Sequence, residues 1–246
     1  PSTLWCVQIN CTSRSKSQPI MGLLRFHERT RDCMPHRKMY TSDDPTGQCT
    51  MLVEDVMTRL YRVGQDLDAK GLYCSLVRPW KQFFDRHADS LVPLIVVVVF
   101  DKEAYKPAMK RAVQAQRAAQ STTLPYTAGT YFDFDTQCIR DGDTLEPVAV
   151  EGPRIMRTPS LKRNLAQWLW NTIQQDIDQW PIQTCLILDF DDDLHILHKA
   201  NYPHIDQLSF VEPIGEAEVN ATRWVQRIRA LPEPHSHDNV LVMTRD

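Results

Sequence analysis

Asp101 is the residue in this 246-residue chain around which chemistry could most readily be built. It follows seven consecutive apolar residues, Leu94 to Phe100 (LIVVVVF), and precedes a basic stretch, KEAYKPAMKRAVQAQR. Open α/β sheets collect ligands at the carboxyl ends of their strands, so an acid in this position suits metal chemistry. In the basic stretch Lys110 and Arg117 fall two helical turns apart and share a face, and Lys106 and Arg111 add to the cationic character.

Four more acids occupy comparable places. Asp55 follows the apolar segment Cys49 to Val53, Glu216 and Glu218 open a segment of helical periodicity, and Asp246 falls just beyond the apolar run Val240 to Met243. Each also has a plain structural reading. Asp55 could be a helix N-cap, and the helix dipole favours acids in a first turn whether or not they bind anything. Positions i and i+2 do not share a helix face, so Glu216 and Glu218 reach one centre only if Glu216 sits at or before the first turn. A rival cluster, Asp189, Asp191, Asp192 and Asp193, follows Cys185 to Leu188. Carboxylates there suit magnesium or calcium, but EF-hand spacing is absent, and a solvated strand-end loop accounts for them equally well. A phosphatase built on this cluster would lack a phosphate-cradling glycine loop. His195, His198 and His204 show no ligand spacing that separates them from ordinary surface histidines.

The elements that must position these residues follow from pattern. The Leu94 to Phe100 run lacks period-2 alternation and is mostly β-branched, which predicts a strand covered on both faces, as at the centre of a parallel sheet. Pro107 stands near a helix start. Val56, Leu60 and Val63 predict a helix after Asp55 that Gly71 ends, and Trp80 to His87 predicts another. Ser160 is read as the N-cap of a helix reaching Trp180, with Leu161, Leu165, Trp168, Leu169 and Ile173 on its apolar face; its tryptophans are read as core. Asp141 and Gly142 predict a turn between Tyr131–Ile139 and Leu145–Val150. Strands are expected at Cys49 to Val53, Cys185 to Leu188, Ser209 to Val211 and Val240 to Met243, with a short helix at Met21 to Arg31.

Composition sets the bounds. The length suits one large α/β domain. A formal charge of -3 gives no global attraction to nucleic acid, so any such binding depends on local basic patches. Seven cysteines without a CxxC pair argue against a disulfide framework and a zinc ribbon, and fit an intracellular, reducing compartment, nucleus or cytoplasm. No apolar run approaches a membrane span.

Four stretches resemble the flap endonuclease family of metal-dependent 5′ nucleases in the PIN-like superfamily. MGLLRF at Met21 to Phe26 is similar to the family's N-terminal glycine motif, although here it is internal. LVEDVMTRLYR resembles the first acidic motif, and VVVVFDKEAYKPAMKRAVQAQR resembles the second acid with the basic arch helix after it. EPIGEAEVNATRWV with NVLVMTRD resembles the paired glutamates and the next acidic strand.

This resemblance implies a single PIN-like domain over residues 1–246, with a central, mostly parallel sheet flanked by helices, and leaves residues 121–208 unmatched as an insertion. It implies that Asp55, Asp101, Glu216, Glu218 and Asp246 bind Mg2+ or Mn2+. Lys110 and Arg117 then steer the scissile phosphate, with Lys106 as a substitute for Lys110. In the family a second acid follows two residues after the acid that Asp246 resembles, and then a helical DNA-binding motif. The chain stops short of these. Clustered carboxylates cannot all stay ionised without cations, and two ions about 4 Å apart would satisfy them. The expected function is that of a magnesium- or manganese-dependent nuclease selecting DNA or RNA by structure. The alternative is a catalytically impaired nuclease-like scaffold that binds RNA or a protein partner, with the insertion available for a protein contact.

Overall fold

The computed structural model describes residues 5–10, 50–60, 68–89, 93–133, 136, 138–142, 144–190, 192, 195–199, 202, 205, 208, 217–231 and 239–244. In chain order the elements are β1 (Trp5–Asn10), β2 (Met51–Asp55), α1 (Val56–Leu60), α2 (Ala69–Arg86), β3 (Ile95–Val99), α3 (Ala108–Ala119), β4 (Tyr131–Asp133), β5 (Cys138–Arg140), β6 (Pro147–Val148), α4 (Gly152–Met156), α5 (Pro159–Asp176), β7 (Cys185–Asp189), β8 (His195–His198), α6 (Ala217–Arg229) and β9 (Asn239–Thr244). The expected glycine motif at Met21 to Phe26, the helix containing it and the strand at Ser209 to Val211 lie outside the described residues.

The fold is mixed α/β. Six strands form one sheet in the order β1-β9-β2-β3-β7-β8. The inner four, β9, β2, β3 and β7, run parallel, while β1 and β8 flank them antiparallel. Strands β2, β3 and β7 are buried at every position. This explains the unbroken apolar run. Leu52, Val96, Val98, Leu186 and Leu188 pack under one helical layer that includes Leu76, Trp80 and Phe84 of α2 and Leu165, Trp168 and Leu169 of α5. Met51, Val53, Ile95, Val97, Val99, Cys185 and Ile187 face the other way, toward Ala217, Ala221, Trp224, Val225 and Ile228 of α6. Each buried valine contributes about 1.5 to 3 kcal/mol of apolar transfer, which only a sheet covered on both faces can supply. The tryptophans at 80, 168 and 224 are buried in the core.

Residues 121–208, left unmatched by the resemblance, contribute heavily to this architecture. They supply α5, the antiparallel β4-β5-β6 sheet and β7, which is hydrogen-bonded to β3. The Asp141–Gly142 turn joins β5 to β6, with Leu145 N donating to Asp141 O at 2.7 Å. A Cβ at Gly142 would lie 2.3 Å from the Gly129 carbonyl oxygen, so only glycine fits that approach.

Several helix boundaries differ from expectation, and the helix expected at Trp80 to His87 is the second half of α2, which starts at Ala69. Gly71 does not end a helix; it lies in the first turn of α2, where its amide donates to the N-cap carboxylate of Asp68 at 2.6 Å. Ser160 is not the cap of α5, because Thr158 holds that position and Pro159 takes the first helical turn. The helix gives way at Asp176 to a 3-10 turn, Ile177–Gln179. No described helix is long and apolar enough to cross a membrane.

Candidate active site

Alternation along the strands fixes which face each acid takes. In β2, Asp55 is in phase with Met51 and Val53; in β7, Asp189 is in phase with Cys185 and Ile187. Asp101 continues the same phase two residues beyond Val99. In register, Val99 is opposite Asp55 on one side and Asp189 on the other. All three acids therefore stand at the carboxyl ends of adjacent parallel strands, on the face that α6 covers. Strand β9 runs parallel to β2, with Met243 opposite Glu54, and leaves the sheet at this same edge. Asp246, two residues beyond its end, lies outside the described residues.

Asp101 has two defined contacts. Its Oδ1 accepts the backbone amide of Ala217 at 3.3 Å, and its Oδ2 takes the Lys106 ammonium at 2.7 Å. Ala217 is the first residue of α6 and lies between Glu216 and Glu218 in sequence. The valine-rich strand and the first residue of α6 therefore meet at Asp101. Glu216 lies outside the described residues, and Glu218 is the second residue of α6.

Asp55 is buried, and its Oδ1 accepts the Met57 amide at 2.9 Å, so it acts as a cap for α1 at the end of β2. Its sequence neighbour Glu54 points to the opposite face, where Trp80 Nε1 donates to it and Arg59 pairs with it. Arg59 is held in turn by the carbonyls of Ser75 and Leu76 at 3.2 and 3.0 Å. Burial pushes the Glu54 carboxyl above its ordinary range, and the neighbouring Arg59 charge only partly opposes this.

Asp189, the first acid of the rival cluster, is committed to structure. Lys102 Nζ approaches its Oδ1 at 2.5 Å, and Trp224 Nε1 donates to its Oδ2 at 2.9 Å, with all three residues buried. Asp192 accepts the Tyr105 hydroxyl at 2.5 Å, which holds the tyrosine above its usual ionisation range. Asp191 and Asp193 lie outside the described residues. His195 stacks on Phe190 with ring centroids 4.2 Å apart.

The three basic residues separate into two environments. Lys110 and Arg117 are exposed on α3, together with nearly every other described side chain of that helix. Lys106 lies before α3, and its side chain is only 1 % exposed against Asp101. Lys106 thus serves the carboxylate edge, whereas Lys110 and Arg117 face solvent. Lys102 and Trp224 had no sequence signal as partners of Asp189. Their contact follows from β3 pairing with β7 and from α6 crossing above that pair.

The donor chemistry of this edge fits a hard divalent cation, because carboxylate oxygens are the ligands such ions take. Asp101 already stabilises positive charge, in the form of the Lys106 ammonium. Among the described residues no group of three or more His, Cys, Asp or Glu is gathered closely enough to hold a metal ion, and of the five expected ligands only Asp55 and Asp101 have described side chains. No family model, curated protein or solved structure matches the chain, and any functional assignment has to stand on the chemistry of this edge.

Proposed function

We propose that the chain is a PIN-like nuclease of the flap endonuclease type, dependent on Mg2+ or Mn2+, that hydrolyses phosphodiester bonds in DNA or RNA and selects substrate by structure. The observation that supports this reading is the hydrogen bond from the Ala217 amide to Asp101, which brings the first residue of α6, between Glu216 and Glu218 in sequence, to the acid that follows the central strand. Support also comes from Asp55 at the end of the adjacent strand and from the exit of β9 toward Asp246 at the same edge.

In this reading Asp55, Asp101, Glu216, Glu218 and Asp246 hold the ions. Divalent ions held by these residues would supply an acidified water as nucleophile and positive charge for the leaving oxygen. The remaining work belongs to the chain. Lys110 and Arg117, exposed on α3, bind the substrate phosphates and offset the charge that develops on the phosphorus oxygens. The buried helix-sheet contacts beneath Asp101 hold its carboxylate toward α6 and spare it reorganisation during reaction.

One observation favours the second reading, a nuclease-like scaffold that binds RNA or a protein partner without cutting. Asp101 and Asp189 are each neutralised by a buried lysine, Lys106 and Lys102, so these two acids need no metal for charge balance. Incubation of the purified chain with flap, single-stranded and structured RNA substrates in Mg2+ or Mn2+ separates the two. The nuclease cleaves at least one of them, and D101N loses turnover while still binding substrate. Absence of cleavage from every substrate, with D101N indistinguishable from the parent, would overturn the enzymatic reading.

A further inference from the structure

Lys106 is an unusual residue to find at a carboxylate edge. Its side chain is 1 % exposed, that of Asp101 is 17 % exposed, and their charged atoms are 2.7 Å apart. A buried ammonium is costly unless it is paired, so this contact anchors the segment that carries it. The segment is short and defined. Glu103–Tyr105 forms a 3-10 turn, the Tyr105 amide donates to Lys102 O at 3.0 Å, and Lys106 precedes Pro107, whose carbonyl accepts the Arg111 amide at 3.0 Å as α3 begins. Burial stops at Lys106: Pro107, Ala108, Met109 and Lys110 are all exposed. The ion pair is therefore the last buried anchor before the cationic helix.

Resting on the nuclease reading, in which Asp101 is a metal ligand, we propose that Lys106 is a built-in counter-cation that a divalent ion displaces from Asp101. Metal loading then frees Lys106, the anchor that lies beyond the Lys102–Asp189 and Tyr105–Asp192 contacts, and lets α3, with Lys110 and Arg117, change position. Two cations compete for one carboxylate oxygen, and the chain attaches one of them to the helix that meets substrate. Metal occupancy and helix position are coupled through this contact. Lys106 acts through Asp101 and is a positioning residue.

The test uses Mn2+ and readouts other than cleavage. Titration followed by the electron paramagnetic resonance signal of free Mn2+ compares the parent chain with K106Q and K106R. Removing the competing charge in K106Q tightens Mn2+ binding by about tenfold, and K106R, which keeps the charge, stays near the parent value. In the parent chain, Mn2+ speeds amide hydrogen exchange across residues 106–119, whereas folded K106Q exchanges fast there without metal. Circular dichroism checks that K106Q is folded; if it is not, exchange in the parent chain decides alone. Equal Mn2+ affinities in parent and K106Q, or exchange at 106–119 that ignores Mn2+, overturn the proposal and leave the nuclease reading standing. No Mn2+ binding by any of the three proteins overturns both.

Discussion

The Ala217 amide donates to Asp101 Oδ1 at 3.3 Å, a contact between residues 116 positions apart in sequence. It brings the start of α6 to the end of the central strand, and it falls on the face where Asp55 and Asp189 also stand. The two lysines nearest Asp101 in sequence both turn inward. Lys102 takes Asp189, and Lys106 takes Asp101. In the nuclease reading, positive charge for substrate is left to α3.

That division of labour predicts the behaviour of the double variant K110A/R117A. Both residues are exposed, so thermal unfolding should change little. If each engages one phosphate, affinity for a single-stranded oligonucleotide falls and the slope of log affinity against log salt shrinks by about 1.4. Fluorescence anisotropy at several KCl concentrations measures both. An unchanged slope would remove α3 as the phosphate-binding face.

Asp189 predicts a stability effect with no direct part in chemistry. W224F removes the donor at 2.9 Å from a buried carboxylate and should cost about 1 to 3 kcal/mol in urea unfolding. K102M removes the buried ammonium on the other oxygen and should cost more, about 3 to 5 kcal/mol. The double variant should depart from additivity, because both partners serve one carboxylate. Additive losses would mean that the two contacts are independent.

Glu54 predicts a pH dependence from the opposite face of the sheet. Burial raises its carboxyl above the ordinary 4.5 despite the Arg59 charge, so the folded state holds that proton more tightly than the unfolded state. The resulting stability is fully present below about pH 4.5 and is lost as pH rises through the raised folded value. Gln can still accept from Trp80 and Arg59 but does not titrate. E54Q should therefore flatten the fall in stability above that pH, as measured by urea midpoints across a pH series. A parent chain whose stability rises through the same window would show that the ion pair with Arg59 outweighs burial.

What the sequence determined by itself is local. The unbroken apolar run before Asp101 requires cover on both faces, and the layers beneath α2 with α5 and beneath α6 provide it. A helix after Pro107, a turn at Asp141 and Gly142, and the apolar face of α5 follow equally from period and turn chemistry. Cap competition was harder to see. Asp68 starts a helix just where Gly71 reads as the end of one, and Thr158 caps α5 ahead of Ser160, because neighbouring residues can each mark a boundary and packing selects among them.

Only the tertiary structure decided which acids meet and which lysines they meet. The register of β2 and β7 against β3 sets Asp55 and Asp189 level with Val99, and strand pairing across long connections leaves no period in the sequence. Lys106 shows the physical reason most directly. The family resemblance made it a substitute for Lys110 at the phosphate. The turn before Pro107 carries it inward to Asp101 instead, because burying one opposite charge against another lowers the cost of both.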